Sequence, residues 1–534
     1  MSPLSEMPVE VLLDNLFPSM QIADILRLGC TNKTFATLCS DDTFWKRRLE
    51  SDFNFSGAGT ARTSGWKFIY RGLFNPQVYV WGSKDNGRLG LSGFSQHTGG
   101  GIPFPTQLVF SGARLVSLVA GGWSFHALDS EGRIHVWGTL NGETPILGDG
   151  FSAPGKSART PLRLEIPATM RSISCGRSHA SSLDTSHRIW NFANWAHPFW
   201  LSSPVFKDPD FKPVQIECGW MFSCVLTHSG DVLVWWPFSG EMDTRIQAAR
   251  QPGNANTYAP RKGAISCVPW ELNLNPTRLP PMPALPDLTS GGSAEQKPTK
   301  LIQVAGLDKH LIGLTNQGHV LIFDSLDNEI TVLRGGWQYL PEFSEVNAVR
   351  DMFMGHKMEA PLTMQITHIS ANFEHFFAYS TGASSIVLKG DLDDANLKPK
   401  IIPGLQNKSI ISVVPGDHHY IALMSSGKVL TWGVCDKGAL GLGDPATLPA
   451  GAPGGFAVDG VYDLPEVKVP TEIRFDHDRK SPKDRFCFSI AAAGWHTGAL
   501  VIDLEVIFCH THTLLETERS FTLRPIMMNR MRKR

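Results

Sequence analysis

Several stretches of this 534-residue chain have residue types and spacings that could do chemistry. Gly150-x-x-x-x-Gly155-Lys156-Ser157 matches the pattern of a phosphate-cradling loop letter for letter. That chemistry needs a strand before the loop and a helix after it, so that backbone N–H groups and the helix dipole face phosphate. Pro154 lies inside the stretch and Pro161 follows at once, so the expectation is a surface loop. Gly438, Gly441 and Gly443 resemble a dinucleotide-binding string, yet no helical pattern follows them, and they read as a turn. Histidines recur at 179, 310, 375, 419 and 496, each followed four residues later by Leu or Tyr. Metal ligands need partners at short spacing, whereas these sit a repeat apart, so each is expected to be a hydrogen-bonded structural histidine within its repeat. Cys509-His510-x-His512 has no further ligands nearby. No Ser-His-Asp set, carboxylate pair or reactive-cysteine setting stands out. The residues therefore predict no catalytic group, no metal and no cofactor, and a binding protein rather than an enzyme.

Bulk composition is consistent with that reading. Lys+Arg is 49 and Asp+Glu 50, giving a net charge of −1, which offers no support for general nucleic-acid or anionic-membrane binding. The nine cysteines are scattered without C-x-x-C spacing and read as buried free thiols in a reducing compartment. The start MSPLSEMPVE lacks the basic and apolar regions of a signal peptide, and no apolar run reaches about 18 residues, so no membrane span is expected. A cytoplasmic or nuclear location follows as an expectation.

The histidines belong to a repeat. Its first half is a β-rich stretch, then Ala/Cys-Gly-x-x-His, then Leu four residues on. It occurs seven times, with Ser124, His179, Phe222, His310, His375, His419 and His496 at the histidine position. Its second half is a turn glycine and an alternating strand that often ends Trp-Gly, as in 78–82, 133–138 and 428–433. Gly132, Gly230, Gly318 and Gly427 each lie four residues past the repeat leucine, the spacing of a β-hairpin. The two halves are out of phase. The strand at Val78 has no first half before it, and the unit ending at Leu500 has no good second half after it. Joining the ends makes seven whole units, which predicts a closed ring in which Val78–Trp81 pairs with the strands ending near Leu500. The pattern closely resembles the repeat of the regulator of chromosome condensation, which implies a mainly β fold, a seven-bladed β-propeller, over 78–505. Excess spacing marks insertions near 241–300, 327–362 and 445–485, rich in Pro and Gly and open to either a mobile or a functional reading. Residues 506–534 depart from the repeat as an atypical tail, in which Val506-Ile507-Phe508 could be one more strand.

The first fifty residues are different. Pro8 is suited to a helix start, Val9, Leu12, Leu13 and Leu16 fall on one face, and Pro18 should stop the run. Ile22 to Leu28 continues as a second helix, Asn32 can cap a third, and Asp41 or Asp42 a fourth containing Phe44, Trp45 and Leu49. So few residues cannot bury this apolar surface alone and must dock on something. The order Leu4…Pro8-x-Glu10-x-Leu12, Asp24-Ile25-Leu26-x-Leu28, Asn32-x-x-Phe35, Leu38, Trp45-Lys46 closely resembles the F-box, a small all-α module, with Met7 where that family usually has Leu. The resemblance favours an external partner over packing on the rest of this chain. It implies binding to a Skp-type adaptor, and through it a cullin, with Leu4, Pro8, Leu12, Leu16, Ile25, Leu28 and Trp45 at or near that interface. Residues 51–77 form a linker with a short helix from Gly65 to Gly72.

Together, the resemblances are to fungal F-box proteins carrying this propeller. They imply a non-catalytic substrate-recognition subunit of an SCF ubiquitin ligase, holding unknown protein substrates on the propeller for ubiquitination and degradation. The alternative they leave is a guanine-nucleotide exchange factor for a Ran-like GTPase.

Overall fold

A computed structural model describes residues 4, 7–93, 100–110, 112–141, 157–249, 263–288, 298–381, 385–394, 396–455, 465–477 and 483–505. The phosphate-loop look-alike, apart from Ser157, and the whole 506–534 tail with its Cys-His cluster and extra-strand candidate lie outside the described residues.

Seven sheets, antiparallel but for one added edge strand in each of two, form a propeller. Blade 1 joins the two ends of the repeat region: Arg485–Ala493 and His496–Asp503 are its inner strands, Pro76–Ser83 and Gly101–Leu108 its outer ones. Val78 stands opposite Leu500 and Trp81 opposite Thr497, the closure expected from the offset repeat. Blades 2 to 7 follow in chain order, with inner strands beginning at Leu115, Met170, Pro213, Leu301, His368 and Ile410. The second strands, such as Ser124–Asp129 and His375–Tyr379, are buried along their whole length, because neighbouring blades cover both faces of each sheet.

The recurring Trp-Gly has a local cause. Gly82, Gly138 and Gly433 take φ of 96°, 92° and 102°, and the ladder shifts register there in blades 1, 2 and 7. A Cβ on Gly82 would sit 2.4 Å from Trp495 O, so only glycine fits this bulge. The preceding Trp81 donates its indole N–H to Ala439 O of blade 7 at 2.9 Å.

Three of the repeat histidines bond across blades rather than within them. His179 Nε2 lies 2.9 Å from Ser223 Oγ of blade 4, His419 Nε2 2.8 Å from Thr497 Oγ1 of blade 1, and His496 Nε2 3.2 Å from Ser124 O of blade 2. The histidine sits at the start of a second strand, where the next blade's inner hairpin is the nearest polar neighbour. His375 is an exception, with Nδ1 3.4 Å from Asp391 of its own blade.

Each stretch read as an insertion contains its blade's fourth strand: Thr277–Arg278 in blade 4, Trp337–Tyr339 in blade 5 and Glu466–Glu472 in blade 7. These strands carry no Trp-Gly and so escape the repeat pattern. The 241–300 stretch does more. After helix Gly240–Ala249, Ala264–Ser266 adds in parallel to the outer strand of blade 2, and Trp270–Asn273 in parallel to that of blade 3. The segment then returns to blade 4. It is a strap around the rim that covers two sheet edges which would otherwise expose unpaired backbone. In the 327–362 stretch, Phe343, Val349 and Phe353 are buried in the core shared by blades 5 and 6.

The N-terminal module has α1 (9–19), α2 (Ile22–Gly29), α3 (Lys33–Leu38), α4 (Asp42–Phe53) and α5 (Trp66–Gly72). Pro8 precedes α1 as its cap. Asn32 accepts from Phe35 N–H at 2.9 Å and Asp41 from Phe44 N–H at 2.8 Å, so two of the expected caps operate. Pro18 does not stop α1, which runs on to Ser19. Instead Leu12–Leu16 widen into a π-helical turn in which Phe17 N–H reaches Leu12 O. The wider turn accommodates a proline ring that would press on the Asp14 carbonyl in a regular α-helix.

Candidate docking surfaces

One side of the helical module is packed on the propeller, so the rest of the chain takes up part of the apolar surface that the sequence left to an external partner. Leu12, Ile25 and Trp45 are 1%, 0% and 1% exposed, so none is available as a contact residue; they form the module's interior. Trp45 packs edge-on against Tyr70 of α5 at 4.9 Å between ring centres and donates to Cys39 O at 3.0 Å. Tyr70 donates to Asp52 at 2.7 Å, and Phe17 packs on Phe44 at 5.6 Å. Asp14 of α1 pairs with Arg47 of α4, and Pro18 O accepts from Arg48 at 3.1 Å.

Below this interior the core runs unbroken into the blades. Phe68 stacks edge-on against Phe486 at 4.7 Å, and Gly72 sits under Ile502, where a Cβ would come within 2.2 Å of a side-chain carbon. Glu50 pairs with Arg171, and Asn54 Nδ2 donates to Met170 O at 2.9 Å. The linker then crosses the central channel: Gly59 lines it, and Ala61 N–H donates to Ile411 O at 2.6 Å. These contacts lie where inner strands begin and, at Ile502, where a second strand ends, so the module covers one face of the propeller.

The side of the module turned away from the blades keeps apolar residues in solvent. Leu4, Met7, Val9 and Leu26 are 38%, 37%, 44% and 39% exposed. Pro8 is exposed and Leu16 and Leu28 are half-buried. Of the residues expected at the interface, Leu4, Pro8, Leu16 and Leu28 therefore reach the surface. Met7, Val9 and Leu26 join them, although sequence reasoning does not single them out as contacts. In the sequence Val9 and Leu26 are only members of helical apolar stretches, and the pattern alone does not say which side of a helix stays uncovered.

The channel encloses about 280 Å³ and is lined by inner strands of every blade. Glu217 faces it, accepts from Gly306 N–H at 3.3 Å, and is pushed up to about 7 by burial. Beside it, Cys175 Sγ lies 3.1 Å from His126 Nδ1, a pairing with the outline of a thiol–imidazole dyad. Its electrostatics are the reverse of a reactive one. Burial holds the His126 imidazolium down to about 3 and raises the Cys175 thiol well above its usual range, so neither ionises near neutrality. Trp195 completes the site by donating to His126 Nε2 at 2.9 Å. Burial likewise pushes Cys218 and Cys435 up to about 11 and Cys487 up to about 12. Among the described residues, no group of three or more His, Cys, Asp or Glu side chains could hold a metal ion. Nor is any described helix long and apolar enough to cross a membrane.

No family model matches the chain. It is 36% identical over 349 residues to SCF-associated factor 1 of Saccharomyces cerevisiae, an alignment covering 62% of this chain and 42% of that protein. It is 28% identical over 143 residues to F-box protein pof9 of Schizosaccharomyces pombe, covering 26% of this chain and 29% of the relative. The chain thus spans less than half the length of either relative. Among solved structures, yeast RCC1 (Prp20) bound to Kap60 superposes with a TM-score of 0.51 at 15% identity, over 80% of this chain and 89% of that one. At that identity the likeness speaks for the fold, a propeller of the same kind. The chain is thus similar to an SCF-associated factor and to an F-box protein, and its seven-bladed ring has the fold of the regulator-of-chromosome-condensation propeller.

Proposed function

We propose that this chain is the substrate-recognition subunit of an SCF-type ubiquitin ligase, acting in the cytoplasm or nucleus. The carrying observation is the two-sided helical module. One side is built into the propeller core, while the other presents Leu4, Met7, Val9 and Leu26 to solvent. Burying such side chains against a partner is favourable by roughly 1.5–3 kcal/mol each when burial is complete. A Skp-type adaptor is the partner the F-box class implies, and a cullin would follow through it. The propeller then holds a target protein at a fixed position relative to the ligase. Catalysis in this arrangement is proximity: a target lysine held near a charged conjugating enzyme gains effective concentration, and no side chain of this chain performs chemistry.

The test is retention of purified Skp-type adaptor by the full chain. The unsubstituted chain should retain it, and Val9→Asp with Leu26→Asp should release it without altering the melting temperature. Accelerated nucleotide release from a Ran-like GTPase, with no adaptor retained, would instead favour the exchange-factor reading.

A further inference from the structure

Turns between first and second strands gather at the channel mouth opposite the F-box module. They are chained by backbone hydrogen bonds. Gly122 N–H reaches Arg177 O at 3.2 Å, Arg177 N–H reaches Trp220 O at 3.2 Å, and Trp220 N–H reaches Leu307 O at 3.0 Å. Asp308 N–H reaches Phe373 O at 2.7 Å, and Asp417 N–H reaches Gly494 O at 3.3 Å. A rim held this way is set before any partner arrives, which lowers the entropic cost of binding.

This rim is aromatic and only half-buried. The Arg177 guanidinium lies 4.2 Å from the Trp220 ring centre and 5.1 Å from that of Trp123, and Phe373 packs on Trp220 at 4.5 Å. Met221 beside them is 39% exposed. Aromatic and arginine side chains in this setting are the usual anchors of protein interfaces. Two carboxylate residues stand beside these rings: Asp308, whose N–H bonds Phe373 O, and Glu374, which follows Phe373 in the chain. Glu374 is raised by burial and then by Asp393, Asp308 and Asp391. Asp308 is raised by burial and by Asp327, in spite of Lys309, His310 and Arg177. Lys309 is itself paired with Asp327 at 3.1 Å. The opposite mouth is crossed by the chain's own linker at Gly59 and Ala61.

We infer that the distal rim is a docking site for an exposed lysine- or arginine-bearing segment of a partner protein. Its aliphatic and cationic groups would lie on the Trp220–Phe373 surface, with Asp308 and Glu374 supplying the complementary charge. This rests on the reading of the propeller as the substrate-binding half and names the class of segment that half takes.

The experiment measures fluorescence anisotropy of labelled octa-arginine and octa-glutamate with the full chain. Octa-arginine should bind, and octa-glutamate should not. Glu374→Lys and Trp220→Ala should each weaken octa-arginine at least tenfold. Glu374 is near the surface, so the first variant should melt at the unsubstituted temperature and keeps the test readable even if Trp220→Ala is destabilised. Equal octa-arginine affinity in both variants, or octa-glutamate binding as strong as octa-arginine, would overturn the inference. Adaptor retention measured on the same variants separates the two readings: failure of the unsubstituted chain to retain adaptor sinks the ligase role and leaves the rim result standing.

Discussion

Val78, on an outer strand of blade 1, stands directly opposite Leu500, on an inner strand contributed by the other end of the repeat region. The ring is therefore closed by hydrogen bonds between the two ends of the repeat region, and blade 1 cannot be completed before both are present. Leu500→Asp places a charge at a fully buried position in that seam. We predict loss of the single cooperative melt and early protease cleavage near both seam strands, read by calorimetry and limited proteolysis.

The Trp-Gly bulge yields a narrower prediction. Gly82→Ala requires an L-residue at φ 96° and drives a Cβ towards Trp495 O. Backbone strain of this kind costs on the order of 1–3 kcal/mol, and the contact adds to it. Chemical denaturation should show a lower midpoint with unchanged slope. Gly93→Ala, also at positive φ but with nothing within 4 Å of its Cβ, should cost less.

Trp45 and Val9 belong to one module but should respond differently. Trp45→Ala removes a buried ring between Phe44 and Tyr70 and should cost about 3–5 kcal/mol, lowering the melting temperature of module and propeller together because their core is shared. Val9→Asp changes a side chain that is 44% exposed and should leave the melt within about 0.5 kcal/mol.

Acid should loosen the ring. Burial holds His179 and His419 down to about 4 and His126 to about 3, whereas an unfolded histidine titrates near 6.5. Between those values the unfolded chain binds more protons. Stability is therefore intact above about pH 6.5 and is lost as pH falls through 4, by about 3 kcal/mol for a histidine shifted to 4. Glu217 works the other way: raised to about 7, it contributes stability that is present at low pH and lost as pH rises through 7, and it offsets part of the slope. Melting temperatures from pH 7 to 4.5 should fall steadily; a flat profile would contradict the inter-blade histidine locks.

Sequence carries the architecture a long way, for reasons the structure explains. The first three strands of the blades carry a repeat because recurring positions have chemical duties: the hairpin glycine at 132, 230, 318 and 427, the inter-blade histidine at 179, 419 and 496, and the Trp-Gly bulge in blades 1, 2 and 7. Fourth strands such as Thr277–Arg278 and Glu466–Glu472 lie at the outer edge, where many side chains satisfy the same backbone ladder, and so leave no pattern. The strap pairing of Ala264–Ser266 with blade 2 is a long-range backbone contact that no local signal encodes. The F-box order is legible, but its residues mix interior and surface. Trp45 is buried because α5 lies over it, and α5 is a separate segment whose docking the motif does not describe. The rim aromatics are visible one or two positions before the repeat histidine, as Trp123, Trp220, Phe373 and Trp495, but their convergence needs the closed ring.

The central claim is that this chain joins an adaptor through the exposed side of a module fixed to its propeller. Its most direct test is isothermal titration of the full chain with purified Skp-type adaptor. The account predicts one-to-one binding that is abolished by Val9→Asp with Leu26→Asp and preserved by Glu374→Lys. No heat of binding with the unsubstituted chain, or binding indifferent to the Val9 and Leu26 substitutions, would contradict it.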